Sequence, residues 1–256
     1  MNPQPTVIWQ LTRACELHCR HCPHPEDRSR SPRELSTYEA YCLVNQVVQL
    51  APQRFVISGG DPLTRDDVYQ LVDHARRRGL RPAITLSPTA NATADAIARL
   101  RRNGLSRIIV SLEGASADSH DASSGVLGSY RRTLHIIGTA LTSGIDVEVN
   151  TLVARDKLPI LDAMYDRIER LGVVAWNLYL PAPNAGVEPL STADISLVRA
   201  VVERLRGHGL TEIRLMDPTV STVFITSDGY VRNGEFVSAD SGDLRRTSLT
   251  AICRSQ

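Results

Sequence analysis

Long apolar runs are missing from this sequence. No stretch approaches the ~20 consecutive apolar residues that a membrane-spanning helix needs, so no span is expected. A basic segment followed by an apolar core is missing as well. Met1-Asn2-Pro3-Gln4-Pro5 is polar and leads straight into a strand-like run, so no secretory signal is expected and the cytoplasm is the expected compartment. Nor does one charge sign dominate: 29 Lys and Arg stand against 28 Asp and Glu, a formal net charge of +1. Such a balance gives no field to attract nucleic acid or an anionic membrane, and neither is expected as a partner. The one dense basic run, Arg76-Arg77-Arg78, ends a predicted helix, where cations complement the dipole. Repeats, low-complexity segments and long linkers are absent too. Cysteine is scarce, with five residues in 256. In a reducing compartment these are expected as thiols or metal ligands rather than disulfides.

What is present is an ordinary globular composition, 42% hydrophobic and 22% charged, in a length that suits one large domain or one domain with an appendage. Strand and helix patterns alternate. Strands are predicted at 7–12, 55–58, 83–86, 107–112, 146–151 and 173–180. Helices are predicted at 36–50, 66–78, 92–102, 130–142, 158–171 and 195–206. Ser36 with Glu39 three residues on has capping-box spacing, and Gly79, Gly104, Gly144 and Gly172 stop their helices. Six strand–helix units imply parallel pairing through right-handed crossovers. A full eight-fold barrel takes about 250 residues by itself, so the expected fold is α/β, a partial (β/α)6 TIM-type barrel over residues 1–212. Residues 213–256 break the rhythm. Two short runs flank Asp228-Gly229, which predicts a C-terminal β-hairpin appendage. In such folds the chemistry lies at the C-terminal ends of the strands.

At the end of the first strand three cysteines, Cys15, Cys19 and Cys22, fall within eight residues in the spacing C-x3-C-x2-C. Thiolates are soft ligands that favour an iron–sulfur cluster or zinc. For zinc, His18, His21 or His24 could serve as fourth ligand. For a four-iron cluster, three ligands leave one iron open to bind something else.

With this spacing the chain resembles the radical S-adenosylmethionine (SAM) superfamily, and further segments carry the resemblance. Ser58-Gly59-Gly60-Asp61-Pro62 ends the second strand and is similar to the family's Gly-Gly-Glu-Pro motif, with Asp61 in place of Glu. Val110-Ser111-Leu112-Glu113-Gly114 ends the fourth strand and resembles its Ser-Leu-Asp-Gly segment. Val149-Asn150-Thr151 resembles an Asn-bearing fifth strand, and Ser87 and Leu180 close strands three and six at similar depth. The resemblance implies one [4Fe-4S] cluster on Cys15, Cys19 and Cys22. It implies SAM on the open iron, contacted by His21, Gly59, Gly60, Asp61, Ser111, Glu113, Asn150 and Leu180. It implies reductive cleavage of SAM to a 5′-deoxyadenosyl radical that abstracts a substrate hydrogen, and a low-potential electron donor of the flavodoxin or ferredoxin type.

The chain is most similar to the branch of haem-biosynthetic and peptide-modifying enzymes with SPASM or twitch C-terminal extensions. His120-Asp121 followed by Gly125 resembles a loop of that branch, with Ser124 where Arg is common. Residues 223–252, with Asp228-Gly229, Phe236, Gly242 and Ser248-Leu249, resemble the start of such an extension. Only Cys253 lies in that region, too few thiols for an auxiliary cluster, which implies a naturally short or truncated member with a single cluster. The expected substrate is a peptide or a biosynthetic small molecule. Porphyrin side-chain chemistry is the alternative, and a non-catalytic metal-binding scaffold the alternative of another class. Cys253 is a candidate hydrogen-atom donor. Cys42 is expected as a buried apolar thiol, His74 and His135 as structural residues, His120 as loop structure or substrate contact, and Trp176 and Tyr179 as packing residues on opposite faces of one strand.

Overall fold

The computed structural model describes residues 4–20, 22, 28–181, 187–216, 222–234 and 240–254. His21, His24 and Phe236 lie outside the described residues. In chain order the elements are β1 (Thr6–Gln10), α1 (Thr37–Gln49), β2 (Arg54–Ser58), α2 (Val68–Arg77), β3 (Pro82–Thr85), α3 (Ala94–Arg102), β4 (Arg107–Ser111), α4 (Ala117–Ser124), α5 (Ser129–Thr142), β5 (Asp146–Leu152), α6 (Leu161–Leu171), β6 (Ala175–Tyr179), α7 (Thr192–Leu205), β7 (Glu212–Met216), β8 (Thr222–Ile225), β9 (Tyr230–Asn233), β10 (Gly242–Asp243) and α8 (Leu249–Arg254). The α/β architecture, with parallel strands and a C-terminal antiparallel extension, is the expected one. Packing divides the described residues into two compact units. One draws on 1–16, 26–108 and 221–256, the other on 17–25 and 109–220.

In the first unit β1 is flanked by β2 and β8, parallel to both, and β2 pairs in parallel with β3. The β8–β9 hairpin is antiparallel, as is the β9–β10 pair. Register sets Ile84, Ile57, Trp9 and Ile225 in one row across four strands, and all four are fully buried. Each such side chain contributes about 1.5–3 kcal/mol by leaving water. The helices bury the faces that their periodicity announced: Leu43, Val44 and Val47 of α1, Leu71 and Val72 of α2, Ile97 and Leu100 of α3. Ser36 and Glu39 form the predicted capping box. Arg76 and Arg77, in the basic run, both pair with Asp73.

In the second unit β5, β6 and β7 are parallel. Trp176 is buried, its Nε1 donating to Thr151 Oγ1 at 2.9 Å, while Tyr179 is half-buried on the opposite face. Some elements differ from expectation for local reasons. Helix α6 starts at Leu161 because Pro159 holds the preceding turn in a 3-10 conformation. Helix α7 starts at Thr192, where Ser191 and Asp194 form a capping box ahead of the first apolar residue. Strand β7 continues the parallel run for one strand beyond the sixth. Among the described residues no helix is long and apolar enough to cross a membrane.

Candidate functional site

In the first unit the expected site residues lie where β1 and β2 end. Beyond Gln10 the chain stays beside β2, with Leu11 N donating to Ser58 O at 2.8 Å. Gly60 N then donates to Thr12 O at 2.8 Å and Asp61 N to Ala14 O at 2.7 Å. The Gly-Gly-Asp segment is thereby closed against the approach to Cys15. A Cβ on Gly60 would stand 2.4 Å from Arg13 O, and one on Gly59, at φ +149°, 2.6 Å from Thr12 O. These glycines are dictated by the cysteine loop's own carbonyls.

A buried polar brace lies behind the loop. Thr12 Oγ1 donates to Glu34 Oε1 at 2.6 Å, Arg13 N reaches the same oxygen at 3.3 Å, and Ala14 N donates to Thr12 Oγ1 at 3.0 Å. Arg65, buried, donates to Leu35 O at 2.8 Å and Leu11 O at 3.4 Å and grips Asp67 with Nε and Nη2. Burial pushes the Asp67 carboxyl up, but the hydrogen bonds from Arg65 and Thr37 outweigh it and hold the group below its ordinary value. Cys15 N donates to Arg28 O at 3.1 Å. The backbone of residues 11–15 is thus ordered by the protein itself.

Asp61 is fully buried. Its Oδ1 accepts from Leu63 N at 3.0 Å, and its Oδ2 accepts from Thr89 Oγ1 at 2.7 Å and Asn91 Nδ2 at 2.8 Å. The carboxylate expected to contact SAM is therefore engaged by the loop after β3. Ser87 Oγ donates to Gly60 O at 2.6 Å. Cys253 lies on α8, whose Leu249 N donates to Gln46 Oε1 of α1. Burial pushes its thiol up, away from the reactive thiolate. Cys42 is half-buried rather than buried and lines a cavity of about 100 Å³ with Leu35, Gln46 and Arg245. His74 is structural: its Nε2 lies 3.0 Å from Asn45 Oδ1 and its ring meets Tyr41 edge-on.

The second unit holds Cys19, Cys22, Ser111, Glu113, Asn150 and Leu180. Cys22 N donates to Cys19 O at 3.3 Å, and Arg20 N donates to Ser124 O at 2.8 Å. Gly125, left-handed at φ +75°, caps α4, and its missing Cβ would come within 3.4 Å of Arg20 N. The stretch His120 to Gly125 thus has a physical job beside the second half of the cysteine loop. Asp121 assists by accepting from Gly128 N, Ser129 Oγ and Tyr130 N at the start of α5. Ser111 is exposed. Leu112 N donates to Asn150 O at 2.9 Å, and Leu180 N donates to Met216 O at 3.3 Å. Lys157, buried, sets its Nζ 2.9 Å from Glu113 Oε2 and 2.7 Å from Leu152 O. Burial pushes the Glu113 carboxyl up, and Lys157 pulls it back. His120 Nδ1 accepts from Glu113 N at 2.9 Å, and burial lowers its imidazole to about 4.

Glu34, Arg65 and Lys157 carried no sequence signal, because lone polar residues outside a spaced motif do not announce their partners. The nearest signal was Thr12, directly before the cysteine loop. The donor set suits an iron–sulfur cluster: three cysteines outside any disulfide, soft thiolate ligands carried on one loop. Among the described residues no three His, Cys, Asp or Glu side chains converge as closely as the ligands of a single ion do.

A family model, that of the radical SAM superfamily, matches residues 9–157. An AdoMet-dependent heme synthase of Nitratidesulfovibrio vulgaris is 35% identical over 191 residues, 74% of this chain and 52% of its own. A PqqA peptide cyclase of Rhodopseudomonas palustris is 26% identical over 212 residues, 79% of this chain and 56% of its own. The chain spans about half the length of the heme-synthase relatives it matches. Among solved structures, SuiB of Streptococcus suis bound to S-adenosylmethionine superposes with a TM-score of 0.77 at 12% identity, covering 98% of this chain and 65% of that one.

Proposed function

Since the chain belongs to the radical SAM superfamily, we propose that it is an oxygen-sensitive enzyme with one [4Fe-4S] cluster on Cys15, Cys19 and Cys22. When bound, the cluster and SAM supply reductive cleavage of the sulfonium and a 5′-deoxyadenosyl radical able to take hydrogen from an unreactive C–H bond. The protein's own contribution is placement. Glu34, Thr12 and Arg65 hold the cysteine loop, and Gly59 and Gly60 close over it. In this reading Ser111, Glu113, Asn150, Leu180 and His21 position SAM. Asp61 acts through its backbone and by tying down Thr89 and Asn91. A low-potential flavodoxin or ferredoxin type of partner delivers the electron, and residues 213–256 belong to an extension of the SPASM or twitch kind.

The supporting observation is the closure of the Gly59-Gly60-Asp61 segment onto the carbonyls of Thr12 and Ala14, which joins two separate motifs in one structure. For the substrate, the relatives named as heme synthases, at 35%, 32% and 31% identity, favour side-chain chemistry on a porphyrin. The peptide cyclases, at 26–29% identity, support a peptide as the second reading.

The test is anaerobic reconstitution with iron and sulfide, then incubation with dithionite and SAM and assay of 5′-deoxyadenosine. The native chain is expected to form it, and a variant with Cys15, Cys19 and Cys22 all changed to Ala is expected to form none. A fully loaded native chain that yields no 5′-deoxyadenosine would instead make a non-catalytic scaffold the leading reading.

A further inference from the structure

The three parallel strands of the second unit bring a polar row into register: Asn150 on β5, Asn177 on β6 and Arg214 on β7. Asn177 is fully buried. Its Nδ2 donates twice, to Asn150 Oδ1 at 2.9 Å and to Glu148 Oε2 at 3.0 Å. Glu148 is also fully buried, and Arg214 Nη1 covers its other oxygen, Oε1, at 3.3 Å.

A carboxamide carries two N–H donors and one carbonyl acceptor. Both donors of Asn177 are therefore spent. Turning its amide over would set the Asn177 oxygen against a carboxylate and against Asn150 Oδ1. Glu148 accordingly fixes the orientation of Asn177, and Asn177 fixes that of Asn150. Turning Asn150 over would oppose donor to donor. With its Oδ1 engaged from behind, Asn150 has its two N–H donors to offer. A second observation points to a ligand at this row: Asn177 Oδ1 is buried and has no hydrogen-bond partner among the described residues. A buried acceptor left open costs free energy until a donor reaches it.

We infer that Asn177 is a positioning residue for SAM, acting through Asn150. Glu148, anchored by Arg214, sets the Asn177 amide, which turns Asn150 to present N–H donors. The inference rests on the proposed reading in which Asn150 contacts SAM, and it narrows that contact chemically. Asn150 recognises an acceptor of the ligand, a ribose oxygen or a purine ring nitrogen. It does not recognise the ammonium, which has only hydrogens to give.

The experiment is equilibrium dialysis of labelled SAM against the reconstituted protein, with iron content measured on the same samples. Native protein is compared with Asn150→Ala, Asn177→Leu and the double variant. Each single change is expected to weaken SAM binding by about ten-fold, the worth of one net hydrogen bond, with iron content unchanged. The double variant is expected to bind no more weakly than Asn150→Ala alone, since the two residues act in series. Glu148→Gln keeps an acceptor and is expected to stay within about three-fold of native. If Asn177→Leu does not fold, Asn177→Ala combined with Glu148→Gln removes the same hydrogen bonds without leaving a carboxylate uncovered. Native affinity in the Asn177 variants, or losses that multiply in the double variant, overturns the inference while leaving the functional reading intact. A loaded native chain that binds no SAM overturns both.

Discussion

His120 is held neutral by its surroundings. It is buried, its Nδ1 accepts the Glu113 N–H, and its ring lies tilted against Tyr130. Burial lowers its pKa to about 4, opposed by Asp121 and aided by Lys157. Between the ordinary imidazole value of 6.5 and about 4, the unfolded chain takes up a proton that the folded chain refuses. Stability is therefore expected to fall as pH drops through that window, by roughly 3 kcal/mol in total. His120→Asn keeps an acceptor for Glu113 N but has nothing to titrate. Urea midpoints from pH 7 to pH 4 should slope less steeply for the variant, and equal slopes would remove His120 from the account. Lys157 obeys a related logic: taking away its charge leaves Glu113 uncompensated. Lys157→Met is expected to cost about 3–5 kcal/mol, the usual penalty for one lost partner of a buried pair, measured by the same unfolding curves.

Elements differ in how openly the sequence declares them. Helices α1, α2 and α3 announce themselves through apolar periodicity and caps. Helix α4 does not. Its residues, Ala-Asp-Ser-His-Asp-Ala-Ser-Ser, are, apart from the two alanines, weak helix formers, and they make no apolar stripe. It exists because Ser116 and Ser119 cap one end and left-handed Gly125 closes the other. Strand β7 has a weak pattern of its own and is drawn in by pairing with β6. The cysteine loop was legible as a ligand set, but its brace was not, because Glu34 and Arg65 meet it only through tertiary contacts. The brace yields a prediction. Thr12→Val keeps the volume and removes the hydroxyl that serves both Glu34 and Ala14 N. It is expected to destabilise the apo-protein by about 1–3 kcal/mol and to lower iron uptake, with Thr12→Ser restoring both. Gly60→Ala faces backbone carbonyls at 2.4 and 2.5 Å, which cannot swing aside as a side chain can, so loss of cluster assembly is expected. Iron and sulfide analysis after reconstitution checks both variants.

At the scale of the whole chain, the backbone shared with SuiB at 12% identity explains why the fold is easier to read than the substrate. Backbone path constrains few side chains on the surface that meets the substrate. Distant parts of the first unit are also tied together by charge. Arg245, after β10, donates to Glu39 Oε1 at 2.7 Å, to Asp228 O at 2.6 Å and to Arg33 O at 3.0 Å. The Arg245 hydrogen bond, and then the Ser36 backbone N–H, lower the Glu39 carboxyl from 4.5 to about 2. A carboxyl lowered on folding stabilises above its unfolded value, and that contribution drains away as pH falls from 4.5 towards 2. Hydrogen-exchange protection at Leu249 to Arg254, relative to the unstructured rate at the same pH, should therefore fall over this range in the native protein. In Arg245→Met it should already be low at neutral pH, and identical protection in the two proteins would break the link.

The position of β1 also bears on how the molecule is made. Thr6 of β1 pairs with Arg54 on one side and with Thr222 on the other. During synthesis the first neighbour emerges soon after β1. The second follows only after a further interval on the order of ten to forty seconds, at an elongation rate of about 5–20 residues per second. For that interval the strand leading into Cys15 has one bare edge, of the kind that recruits foreign strands. The nascent protein is therefore open to misassembly at the strand that leads into its cysteine loop, and slowing translation between β2 and β8 should raise the aggregated fraction.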